Sequence, residues 1–84
     1  MANYISAIGF SELGNPREAI NAFTRAIKFA PAIGEYYYYR ALEHEKVGEI
    51  EQAINDVYRG ELGQRFGGIS EEEFNKTLDR LRSK

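Results

Sequence analysis

GNPREAINAFTRA, residues 14–26, lies over GEIEQAINDVYRG, residues 48–60, when the chain is shifted by 34 positions without a gap. Gly14 meets Gly48, Ala19-Ile20-Asn21 meets Ala53-Ile54-Asn55, and Arg25 meets Arg59. Phe23 with Val57 and Ala26 with Gly60 keep their character. A fixed internal period in a chain of 84 residues predicts repeated structural units within one small domain.

The helix signals follow the same period. Apolar residues at 4, 7, 8, 10 and 13 predict a first helix that stops at Gly14. Asn15 is placed as the N-cap of a second helix, with Pro16 at its first position and Glu18 where a capping box wants an acid. Ala19, Phe23, Ala26 and Ala30 share one face, and Pro31 ends the helix. A third helix is expected over 33–47, ending at Gly48. A fourth is expected over 50–62, with Gly63 as its cap. After the Gly67-Gly68 linker, Ser70 and Glu73 form a start signal with Ile69 able to staple onto Phe74. Three acids open that last helix and Arg80, Arg82 and Lys84 close it, as the helix dipole favours. Its stripe of Phe74, Leu78 and Leu81 is narrow, the profile of a terminal helix with one side on the core.

Two 34-residue helix-turn-helix units resemble the tetratricopeptide repeat family. Ala7, Phe10, Ala19, Phe23, Ala26 and Pro31 match that pattern in the first unit, and Tyr37, Ala41 and Ala53 in the second, with Val57 and Gly60 as substitutes. The match covers roughly residues 2–62. Asn3, Ser6, Arg40 and His44 depart from it, and Arg65 stands where a proline would follow the second unit. The resemblance implies an all-α fold of antiparallel helix-turn-helix repeats, stacked as a short right-handed solenoid of about five helices. The units are repeat one, about 1–31; repeat two, about 32–64; and a capping helix, about 70–83.

The run of four tyrosines, 36–39, must distribute itself around the third helix, because successive side chains point about 100° apart. Tyr37, with Ala41 and His44, is assigned to the core. Tyr36 is expected half-buried with its hydroxyl in water, Tyr38 on the opposite flank with Leu42 and Glu45, and Tyr39 opposite the core. The resemblance implies a concave groove lined by first helices. Its floor would be Tyr4, Ile8, Tyr38 and Leu42, its rim Ile5 and Tyr39, with Glu45 at the same register. The bland alternative is that these side chains pack on the C-terminal helix or simply remain scattered. Some family members clamp a C-terminal carboxylate there with basic side chains, and the residues of this groove do not repeat that set.

Other functions are disfavoured by composition. There is no cysteine, and His44 is the sole histidine, placed at a packing position, so no metal site or triad can be assembled. Ser70 is explained as a cap, and Ser11 has no base near it. The three acids after Gly67-Gly68 argue against a phosphate there. Net charge is −2 and no basic stripe accompanies the tyrosines, which disfavours nucleic acid; the seven acids of residues 35–64, against Arg40, Lys46 and Arg59, read as solvated helix surfaces. No apolar run is long enough for a bilayer, and no signal peptide is legible, so a cytoplasmic protein is expected. The resulting expectation is a non-enzymatic module, without cofactor, that binds a protein or peptide. About three repeats are usually needed for a closed array. A homodimer, or a structural assembly module completed by self-association, is therefore the alternative.

Overall fold

Gly14 and Gly48, one period apart, both take a positive φ, 76° and 81°. A Cβ is strained in that region, so glycine is the residue that fits. Both end a helix with the same bonds. The Asn15 N–H donates to the Phe10 carbonyl at 2.8 Å and the Gly14 N–H to Ser11 at 3.1 Å. One period on, the Glu49 N–H donates to His44 at 2.9 Å and the Gly48 N–H to Glu45 at 3.1 Å. These paired bonds are a Schellman stop. The sequence period is thus a structural period at the turns.

The computed structural model describes residues 2–63 and 68–84, with side chains from Ile5 onward. Its elements are α1 (Ala2–Glu12), α2 (Pro16–Phe29), α3 (Gly34–Lys46), α4 (Ile50–Gly63) and α5 (Glu71–Arg82). The described residues are all-helical apart from turns and connections. Each helix packs on the next in chain order, giving a slab of about 32 × 28 × 16 Å. Most of the Gly67-Gly68 linker and the Arg65 departure lie outside the described residues.

Small residues set the close approaches. Ala7, Ala19 and Ala22 are fully buried around Phe23 between α1 and α2. The counterparts of Ala7 and Ala19, Ala41 and Ala53, are fully buried beside Val57 between α3 and α4. Gly60 is the narrowest point. A Cβ there would lie 3.1 Å from the Gly34 carbonyl and 3.2 Å from both Phe74 and Tyr37, so α3, α4 and α5 converge on it. The α5 side chains Phe74, Leu78 and Leu81, with Ile69 before them, complete the larger cluster.

The caps differ from expectation at two of three positions. Ser70, in extended backbone, accepts from the Glu73 N–H at 3.1 Å, as its start signal predicts. Asn15 occupies the N-cap position of α2 but makes no side-chain cap bond. Its φ and ψ of −116° and 68° depart from the extended geometry that aims a capping oxygen at the first turn. Gly63 lies within α4 and does not take the positive φ of a left-handed cap.

Gly9 sits inside α1, and a Cβ added to it would meet nothing within 4 Å. Gly9→Ala should therefore stabilise by about 0.5–1 kcal/mol through helix propensity. Gly14→Ala and Gly48→Ala should each cost about 1–2 kcal/mol. Urea unfolding measures all three, and clearly unequal costs at the two turns would contradict their equivalence.

Candidate functional site

α3 is the middle helix, so it has neighbours on more than one flank. Tyr36 is 6% exposed and Tyr38 is 9% exposed, whereas Tyr37 is only half-buried. This corrects the assignment of Tyr37 as the core aromatic. Its ring lies under the Arg40 guanidinium, 5.6 Å from ring centre to Cζ, at the edge of the α3–α4 contact. Tyr36 is more deeply buried than expected.

Tyr38, expected on the groove floor, is covered by α5. Its ring meets Phe74 edge-on at 5.6 Å, and its hydroxyl shares a 3.1 Å hydrogen bond with the buried Thr77 hydroxyl. Glu45 is likewise taken by α5. Arg80 donates to both its oxygens at 3.0 and 2.7 Å, and the Lys84 ammonium lies 3.4 Å away. These bonds, that from Arg80 foremost, hold the Glu45 carboxyl below the usual glutamate range, against a smaller opposing effect of burial. For these two residues the packing alternative describes the outcome.

The other groove residues meet elsewhere. Ile8 of α1, Phe23 of α2, and Tyr39 and Leu42 of α3 line an open pocket of about 300 Å³. Tyr39 is half-buried rather than turned away from the core. It stacks on Phe23 at 6.2 Å and meets Tyr38 edge-on at 5.6 Å, so it touches both apolar clusters. Burial, with the negative charge of Glu35 and Glu73 and the neighbouring Tyr38 adding to it, raises the Tyr39 hydroxyl pKa and keeps it a neutral phenol. Ile5 is 68% exposed and does not line the pocket. Tyr4 belongs to α1, but its side chain lies outside the described residues.

The polar end of the pocket is formed by residues absent from the expected groove: Ser11, Glu12, Glu43 and Lys46. Glu43 is 3% exposed. Its Oε2 accepts from Ser11 Oγ and from Lys46 Nζ, each at 2.9 Å. A signal for it exists on the helix wheel, where Glu43 falls between Tyr36 and Tyr39 within an arc of about 60°. An acid flanked by two aromatic rings on one face is an invitation to look for its partner.

On the opposite side, the departures Arg40 and His44 explain one another. Arg40 forks onto Asp56, with Nε and Nη2 each 2.7 Å from a carboxylate oxygen, and its Nη1 donates to Thr24 Oγ1 at 3.1 Å. His44 faces Glu49 through Nδ1 at 2.8 Å and Asp56 through Nε2 at 3.5 Å. Glu49 also receives Arg17 at 2.9 Å. Its carboxyl is held low by the His44 bond first and the Arg17 bond second. Both imidazole nitrogens face acids and both Asp56 oxygens face Arg40, so the network is committed to joining α2, α3 and α4. Among the described residues no cluster of His, Cys, Asp and Glu could hold a metal ion. Nor, among them, is any helix long and apolar enough to cross a membrane.

No family model matches the chain, and no curated protein matches it.

These contacts can be tested by substitution. Arg40→Met leaves buried Asp56 facing, among the described residues, only His44 Nε2 at 3.5 Å and should cost about 3–5 kcal/mol. The double change Arg40→Ser with Asp56→Ala installs the residues found one period earlier, Ser6 and Ala22, and should recover much of that loss in urea unfolding. For Glu45, a carboxyl depressed by folding contributes fully above the ordinary glutamate value of about 4.3, and that contribution is lost as pH falls below it. The Phe74 ring resonances should therefore report loosening of α5 in that acid window, and Glu45→Gln should flatten this part of the profile.

Proposed function

We propose that this chain is a non-enzymatic interaction module of the cytoplasm, built from two tetratricopeptide-like repeats and a capping helix, and that its α1–α3 pocket receives a side chain of a peptide or amphipathic helix. The observation that carries the reading is the open apolar pocket of Ile8, Phe23, Tyr39 and Leu42. It lies between elements that are otherwise closely packed, and a peptide side chain is the kind of ligand such a slot accommodates. The repeated Schellman turns and the matched alanines support the stacked-repeat reading.

The self-association alternative draws on a different surface. Ile5 on α1, Leu13 at the first turn and Phe29 at the end of α2 are 68%, 82% and 82% exposed. A second copy seated there would shield them, and light scattering at increasing concentration would detect it.

The binding reading is tested by selecting displayed peptides against the intact chain and then measuring affinity for Ile8→Ala and Leu42→Ala. Each change should weaken binding at least tenfold, about 1.4 kcal/mol, with helicity retained. Selected peptides indifferent to both changes would overturn the pocket as the binding site.

A further inference from the structure

The pocket has an unsatisfied acceptor in its wall. Glu43 Oε2 has two donors, but no donor among the described residues reaches Oε1, although the atom is buried. A buried polar atom left unpaired costs about 1–3 kcal/mol, and more when charged. Native structures leave few such atoms without a reason. Ser11 and Lys46 hold the carboxylate by its other oxygen alone. Oε1 itself is buried in this structure, while Glu43 lines the pocket; the terminal torsion of a glutamate is broad, so a ligand donor meets it by a turn about that torsion.

The charge at this end is unbalanced in a useful direction. Glu12 and Glu43 supply two carboxylates and Lys46 one ammonium, which is half-exposed and shared with Ser11 Oγ at 3.2 Å. A carboxylate accepts and cannot donate, so an anionic ligand is repelled. The walls beside it are Ile8, Tyr39 and Leu42. Long basic side chains pack an aliphatic stem on such walls while their heads reach a polar partner. An arginine fork needs two carboxylate oxygens, and Oε2 is already occupied. A lysine needs one.

We propose that the pocket recognises a lysine of a basic, apolar peptide segment, its stem along Ile8, Tyr39 and Leu42 and its ammonium donating to Glu43 Oε1. This rests on the pocket being the binding site and names the chemistry of what enters it.

The test is a methyl-detected NMR titration of the intact chain with three probes, acetyl-Leu-X-Leu-amide with X as lysine, norleucine or glutamate. The lysine probe should shift the Ile8 and Leu42 methyls with an affinity at least fivefold above the norleucine probe, and the glutamate probe should be weakest. In Glu43→Gln the lysine preference should fall below twofold. The wild-type comparison stands even where that variant fails to fold, which its methyl spectrum reports. Equal affinities for lysine and norleucine at these methyls overturn the lysine assignment and leave the pocket reading intact. No shift of Ile8 or Leu42 with any probe overturns both.

Discussion

The docking of α5 on Tyr38 decides which surface the protein has left to use. A large aromatic on the flank of α3 would be a binding feature if it met solvent. Here Phe74 covers the ring and Thr77 satisfies the hydroxyl, while Arg80 ties down Glu45 nearby. Gly60 makes that docking possible, because a side chain there would press on Gly34 and Phe74 together. The slot between α1, α2 and α3 stays open, shorter than a groove running the length of the first helices.

Tyr39 and Arg40 are neighbours in sequence, about 100° apart around α3, and each joins the two hairpins. Tyr39 packs on both apolar clusters, and Arg40 bridges Thr24 on α2 to Asp56 on α4. The second hairpin thereby substitutes an ionic contact where the first has Ser6 and Ala22. A buried ion pair is weak evidence for net stability, since its desolvation offsets much of its attraction. Its geometry is demanding, however. We read it as a device that sets how α3 sits between its neighbours, and the recovery of stability by the Ser and Ala pair measures how far packing alone can replace it.

The elements are legible in the sequence because they rest on local rules. The glycines at 14 and 48, the proline at 16 and the serine at 70 each act within a few residues, and all stand where those rules put them. The alanine pairs are legible because the period aligns them. The tyrosines are not, for a geometric reason. A helix wheel assumes one buried face, and α3 buries Tyr36 on one flank and Tyr38 on the other. Which flank is covered depends on where α5 comes to rest after a linker, and no local signal encodes that. Glu43 escapes notice for the related reason that an isolated glutamate reads as surface until Ser11, nearly a full repeat away, is known to reach it. The Asn15 cap fails on backbone angles, which residue type does not specify.

The division of the tyrosine run, with Tyr38 sealed beneath α5 and Tyr39 left at the pocket, depends on the whole arrangement of helices. Aromatic NOE spectroscopy on the intact chain reads it directly. Strong cross-peaks are expected from the Tyr38 ring to Phe74 and from the Tyr39 ring to Phe23, with the Ile8 and Leu42 methyls accessible to a paramagnetic solvent probe. A Tyr38 ring that lacks contact with Phe74 and is relaxed by the probe would contradict this division, because α5 would then leave that flank of α3 open.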